Sequence, residues 1–218
     1  MTMNYNQARE TMVEQQVRPW DVLDARVLGT LATLPREKFV PEIHRALAYA
    51  DVEIPLGPGQ RMMKPVIEGR TLQALALQEG EEVLEIGTGS GYLAACMGAL
   101  ARDVLSLEID PALAALARTR LDDCGLGNNV RIENVDALHF STERRFDAIC
   151  VTAAVDQVPS LFLQWLRPGG RLFVIHGRSP AMEAVLIRNA VNGPSIESLF
   201  ETDLPYLVGA APAPQFVF

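Results

Sequence analysis

Three carboxylates and a run of glycines are the residues of this chain best suited to hold a charged, hydroxyl-rich ligand. The glycines stand in Gly87-Thr88-Gly89-Ser90-Gly91-Tyr92, directly after the short apolar run Val83-Leu84-Glu85-Ile86. A tight turn can demand positive φ, and a backbone without Cβ lets a ligand lie against it. Tyr92 to Leu100 then reads as a helix. Strand, glycine turn and helix N-terminus together are the layout of a nucleotide-type cofactor site. Glu85 precedes the loop, and Glu108 closes the second apolar run, Val104 to Ile109, roughly 20 residues further on, where such folds bind ribose hydroxyls. Asp136 follows a third run, Val130 to Asn134, and is placed to accept from an adenine amino group. An ionised carboxylate only accepts hydrogen bonds, which suits both partners. Each acid taken alone is equally a solvated strand-end residue; their arrival at successive strand ends favours a ligand.

The loop narrows the cofactor class. A dinucleotide fingerprint needs glycine at its sixth position for close helix packing, and here that position is Tyr92. No Gly-Lys-Ser/Thr follows, so the loop is not a phosphate-binding P-loop. Gly87-x-Gly89-x-Gly91 behind the acidic Glu85 instead resembles the S-adenosylmethionine loop of Rossmann-like methyltransferases, which implies cofactor contacts from Glu85, Gly87, Thr88, Gly89, Ser90, Gly91, Glu108 and Asp136. His44, His139 and His176 lack metal-ligand spacing, although His176 follows a strand and could border the site. No Gly-x-Ser-x-Gly elbow occurs, so no metal and no covalent nucleophile is expected.

The positioning elements follow from periodicity. Pro111 to Cys124 is an apolar-striped helix capped by Gly125, and Phe146 to Thr152 is a buried strand. Pro159 to Leu166 reads as a helix ended by Arg167-Pro-Gly-Gly170, followed by a strand over Arg171–Ile175. Two more strands, around 184–188 and 195–200, flank a turn at Asn192-Gly193-Pro194. Alternating strands and helices imply an α/β fold with a mainly parallel sheet and helices on both faces. Ligands of such sheets bind outside the carboxyl ends of the strands. Thr152, Ala153 and Ala154 should therefore face the reacting group; their small size leaves room for an acceptor, or equally for a packed helix.

Ahead of this core lies a segment the sheet does not require. Tyr5 to Gln16 reads as a helix stopped near Arg18-Pro19, and Asp21 as the N-cap of a helix bearing Leu23, Val27, Leu28 and Leu31 and halted by Pro35. Ile54-Pro-Leu-Gly-Pro-Gly59 is a stiffened loop, either a substrate lip or a plain connector. The expected division is residues 1–78 as N-terminal helical and lip segment, and 79–218 as Rossmann-like core.

The 218 residues are 49% hydrophobic and 21% charged, an ordinary soluble composition. A formal net charge of -8 disfavours broad attraction to nucleic acid or to an anionic membrane. Cys96, Cys124 and Cys150 form no C-x-x-C pair and read as reduced core thiols. No apolar leader and no 18-residue apolar stretch is present, so a cytoplasmic protein is expected.

Several blocks together resemble the protein-L-isoaspartate O-methyltransferase family: Glu14-Gln-Gln-Val-Arg18-Pro19, Pro35-Arg-Glu-Lys-Phe-Val-Pro41, Ala48-Tyr-Ala-Asp51, Gly57-Pro-Gly-Gln60, Val83 to Tyr92, and Val151-Thr-Ala-Ala154. The resemblance implies a seven-stranded Rossmann-like fold that uses S-adenosylmethionine to esterify the abnormal carboxylate of isoaspartyl residues in damaged proteins. It also implies a protein or peptide carboxylate as partner and leaves the oligomeric state open.

One departure stands in the lip. Where the family typically reads Thr-Ile-Ser-Gln-Pro, this chain has Arg61-Met62-Met63-Lys64-Pro65, so Met63 occupies the position of the serine placed beside the acceptor. A thioether donates no hydrogen bond. Arg61 and Lys64 are either cationic partners for an acidic substrate or solvated loop charges. The C-terminal stretch differs too, with Leu204-Pro-Tyr-Leu-Val-Gly209 in place of the family's Phe-Val-Pro-Leu type run. The implied reaction is in-line displacement at a sulfonium methyl by a carboxylate, already ionised at neutral pH, with Met63, Thr152 and Ala153 at the acceptor. Three readings stay open: this activity, a same-fold methyltransferase with another acceptor, and a binding protein that has lost catalysis.

Overall fold

The computed structural model describes residues 4–190 and 192–213. The chain begins with α1 (Tyr5–Met12) and α2 (Ala25–Thr33), then a small antiparallel hairpin of β1 (Ile54–Gly57) and β2 (Gln60–Met62), then α3 (Pro65–Leu75). The alternating part follows: β3 (Glu82–Ile86), α4 (Tyr92–Leu100), β4 (Asp103–Glu108), α5 (Pro111–Asp123), β5 (Val130–Asn134), β6 (Phe146–Val155), α6 (Ser160–Gln164) and β7 (Leu166–Arg178). A hairpin of β8 (Ala181–Ala190) and β9 (Gly193–Thr202) ends it.

The last seven strands make one sheet in the order β5-β4-β3-β6-β7-β8-β9. Pairing is parallel from β5 through β7 and antiparallel for β8 and β9. This is the expected mainly parallel, seven-stranded Rossmann-like methyltransferase architecture. Because β3 pairs with both β4 and β6, the strand order reverses there, and a crevice opens at its carboxyl end.

Side chains alternate across the sheet. Leu84, Ile86, Leu105 and Leu107 pack on one face with Phe162 and Trp165. Val83 and Val104 pack on the other with Met97 of α4, and the same core takes in Met12 of α1 and Leu31 of α2. The N-terminal helices thus share the core of one sheet face. Charge gathers at the sheet's opposite end from the crevice: Glu82 meets Arg167 at 3.0 Å and Arg144 at 3.4 Å, while Arg144 also reaches Asp103 at 2.7 Å. That network ties together the start of β3, the start of β4 and the chain around β6 and β7.

Several boundaries differ from the sequence expectation. The cap of α2 is Asp24, whose Oδ1 accepts from Arg26 N at 2.8 Å; Asp21 is left-handed at φ 62° and Leu23 lies off the helix, exposed. The first helix passes into a π-helical turn over Val13–Val17 and a short 3-10 turn, Arg18–Trp20, that contains Pro19. Arg167-Pro-Gly-Gly170 does not end a helix but bulges within β7, whose first pair is Phe146 with Leu166 and whose next is Ala148 with Arg171. No helix among the described residues is long and apolar enough to cross a membrane.

Candidate functional site

The glycine loop leaves β3 with positive φ at Gly87 (95°), Gly89 (53°) and Gly91 (86°). A side chain on Gly87 would overlap the Thr152 hydroxyl, and a Cβ on Gly91 would stand 3.0 Å from the Cβ of Ala117 on α5. The first glycine lets β6 close on the loop; the last lets α4 start against α5. Backbone N–H groups of Gly87 and Thr88 donate to Leu107 O at 2.9 and 3.3 Å, tying the loop to the end of β4. The Thr152 hydroxyl bonds Gly87 O at 2.5 Å and Ile86 O at 3.1 Å. Its hydrogen is therefore committed to holding the loop.

The carboxylates come from consecutive parallel strands. Glu108, at the end of β4, accepts from Gly89 N at 2.7 Å and from Asp110 N at 3.0 Å. A carboxylate offers about four lone-pair sites, so roughly two remain for a diol. Asp136 lies two residues beyond β5 and accepts from Leu138 N at 2.9 Å, with His139 Nδ1 2.7 Å from its other oxygen. Glu85 is fully buried on β3. The Ser106 hydroxyl donates to its Oε2 and sits 2.5 Å from the Thr88 hydroxyl, while Oε1 has no partner. Burial pushes the Glu85 carboxyl up to about 8, against the pull of the Ser106 hydrogen bond and with a smaller push from the Glu108 charge.

All three acids, Gly87 through Ser90, Thr152, Ala153 and Met63 line one solvent-open cleft. Gly91 does not line it; its place is in the packing of α4 on α5. His176 stands outside as well, 3.9 Å from Glu183. Among the described residues no cluster of histidine, cysteine and acidic side chains could hold a metal ion.

The proline-glycine stretch is the β1–β2 hairpin, with Ile54 opposite Met62 and Pro55 opposite Arg61. It lies directly over the loop: a Cβ on Gly89 would come within 3.2 Å of Leu56 Cδ1. Met62 and Met63 are both buried. The hairpin's exit is pinned by Arg36, a fully buried guanidinium that pairs with Glu68 at 3.0 and 3.1 Å and donates to Met63 O at 2.7 Å and Ala48 O at 2.5 Å. Burial raises the Glu68 carboxyl although Arg36 opposes it.

Two parts of this site were given no role by the sequence. Arg36 lies inside the Pro35-Arg36 block, but its partner Glu68 sits on α3 among buried apolar neighbours, with nothing local to mark it. The other part is the segment after β9. Ala154 N donates to Pro205 O at 2.9 Å and Leu207 N to Ala154 O at 2.7 Å, so Leu204 to Val208 form a further wall of the cleft. The Tyr206 hydroxyl donates to Gly177 O at 3.0 Å and fixes that wall to β7.

Comparison with known proteins finds relatives over most of the chain. The family model "Protein-L-isoaspartate(D-aspartate) O-methyltransferase (PCMT)" matches residues 7–198. A protein-L-isoaspartate O-methyltransferase 2 of Marinobacter nauticus is 41% identical over 82% of this chain and 81% of its own. A protein-L-isoaspartate O-methyltransferase of Syntrophotalea carbinolica is 38% identical over 95% and 96%. A Plasmodium falciparum chain assigned to the same enzyme class and solved with S-adenosyl-L-homocysteine superposes with a TM-score of 0.80, covering 94% of this chain and 99% of that one at 21% identity.

Proposed function

The chain belongs to the protein-L-isoaspartate(D-aspartate) O-methyltransferase family, and from that premise we propose that it methylates the free carboxylate of isoaspartyl residues in proteins or peptides. The observation that carries the reading is that one cleft joins the glycine loop and its three carboxylates to the β1–β2 lip. Residues 1–78 supply the acceptor's lip and residues 79–218 the cofactor site. We extend the proposal to a cytoplasmic location, where damaged proteins would be its substrates.

The residues fit S-adenosylmethionine. Glu85 Oε1 is a buried acceptor without a partner, which an ammonium group would satisfy. The free lone pairs of Glu108 would suit ribose hydroxyls, and Asp136, just beyond β5, would accept from the adenine amino group. When bound, the cofactor supplies a sulfonium methyl; the O–C bond forms as the S–C bond breaks, the electron pair stays on sulfur, and no proton is released.

What the chain must do is align and exclude water. The acceptor carboxylate is ionised at neutral pH, so the cleft needs no general base. Thr152 locks the loop to β6, Ala153 leaves space beside it, and the Met63 backbone is held in place by Arg36. Proximity and orientation then supply the rate.

The test is transfer of labelled methyl to an isoaspartyl peptide, with the aspartyl peptide as control and Met63→Ser alongside. Base-labile label on the isoaspartyl peptide alone is expected. A serine hydroxyl that reaches the acceptor would raise transfer by about 10- to 150-fold, the worth of a charge-assisted hydrogen bond. Cofactor binding by the wild type with no transfer to the isoaspartyl peptide would refute the proposal and direct the search to another acceptor, and transfer by Met63→Ser alone would name Met63 as the block.

A further inference from the structure

We propose that Arg61 binds the acceptor carboxylate, exchanging Glu53 for it and doing by charge what a serine hydroxyl at position 63 would do by hydrogen bond. The inference rests on the methyl-transfer reading above and concerns how the anionic acceptor is recognised.

The cleft has a charge problem. Its lining includes Glu53, Glu108 and Asp136, together with Glu68, which Arg36 pairs, and Glu85, which burial keeps protonated in the cofactor-free protein; among the described lining residues Arg61 is the one cation. An acceptor carboxylate must therefore enter beside acidic groups with a single cation to receive it. A like charge repels, and a serine hydroxyl that could offset this is absent at position 63. Arg36 cannot help, because its guanidinium is buried behind the lip and committed to Glu68 and two carbonyls.

Arg61 is built differently. It lies on β2 opposite Pro55, so the short hairpin fixes its Cα beside the cleft. Its side chain is 49% exposed and its pair with Glu53 is a single 3.7 Å approach, against the two contacts near 3 Å that Arg36 makes with Glu68. A loose, half-exposed ion pair is worth little to the fold. A planar guanidinium can instead take a carboxylate in a two-point contact. Exchanging one carboxylate for another keeps the charge balanced, so Glu53 serves as a place-holder until the acceptor arrives.

This contact exists before reaction and weakens as the carboxylate becomes a neutral ester. Interactions no stronger in the transition state than in the ground state act on KM and not on kcat. The experiment measures both constants for an isoaspartyl peptide with the wild-type chain, Arg61→Gln, Arg61→Lys, and Arg145→Gln as a charge control at the far end of β6. Arg61→Gln is expected to raise KM by about tenfold or more, the loss of a charge-assisted contact. Its kcat should not fall, and its calorimetric dissociation constant for S-adenosylmethionine should match wild type. Arg61→Lys should fall between, because it keeps the charge and loses the fork. Added salt should raise KM for the wild type and less so for Arg61→Gln. An active wild type whose KM is unmoved by Arg61→Gln, or moved equally by Arg145→Gln, overturns the assignment alone. A wild type inert toward the peptide overturns the methyl-transfer reading and the assignment with it.

Discussion

Cofactor binding should release a proton from Glu85, and the affinity should therefore climb with pH. Burial lifts this carboxyl from an ordinary 4.5 to about 8, so at neutral pH the cofactor-free protein holds it mostly protonated. An ammonium group set against Oε1 demands the carboxylate. At pH 6.5 ionising it costs about 2 kcal/mol, and each pH unit towards 8 removes about 1.4 kcal/mol of that cost, a tenfold gain in affinity. The rise ends near pH 8, where Glu85 ionises unaided and the ligand's own α-amino group begins to lose its charge. Titration calorimetry with S-adenosylmethionine, run between about pH 6 and 7.5 in buffers of different ionisation enthalpy, counts the proton directly; about one should be released. Glu85→Gln should flatten the profile and abolish the release. A wild-type affinity flat over that range with no proton released would refute the reasoning. The same shift acts on the fold: from 4.5 to about 8 the folded chain holds a proton that the unfolded chain has lost, so this group's contribution declines as pH rises and is gone above about 8.

Arg36→Met should cost about 3–5 kcal/mol in urea unfolding, because it leaves the buried Glu68 without its cation. Since burial already favours the protonated Glu68, the loss should deepen as pH rises, and adding Glu68→Gln should restore part of it. Gly87→Ala should lower both stability and cofactor affinity, as read by urea midpoint and calorimetry. Adding Thr152→Ala removes the overlap but not the strain of φ 95°, so about 1–2 kcal/mol should remain lost.

The gathering of the glycine loop and the three acids at one end of the sheet was legible because its geometry is local. Glu85 and Glu108 stand near the ends of short apolar runs and Asp136 just after one, and parallel register brings consecutive strand ends together: Ile86 lies opposite Leu107 on one side and Val151 on the other. Helix α4 begins at Tyr92, directly after Gly91, the left-handed residue that caps it and that the chain shows plainly. Long-range pairings left no such trace. Arg36 and Glu68 are 32 residues apart and meet only after α3 packs under the lip. The bridge from Ala154 to Tyr206 is a single isolated pairing, too short for any periodicity. Asp21 and Asp24 both suit a cap by residue type; a left-handed turn at Asp21, which composition does not announce, decides for Asp24. The Pro-Gly-Gly bulge in β7 has the same origin, since a Cβ at Gly170 would press within 3.1 Å of the Phe146 and Asp147 carbonyls.

The bridge to Ala154 also separates scaffold from chamber. Residues Leu204 to Val208 come after every strand of the sheet, yet they wall the cleft. A chain clipped by a protease just beyond Thr202 would keep all the strands and lose one side of the pocket. Enclosure of a ligand therefore depends on a segment that the sheet's own hydrogen bonding does not include, and a cut there would uncouple an intact scaffold from a working site.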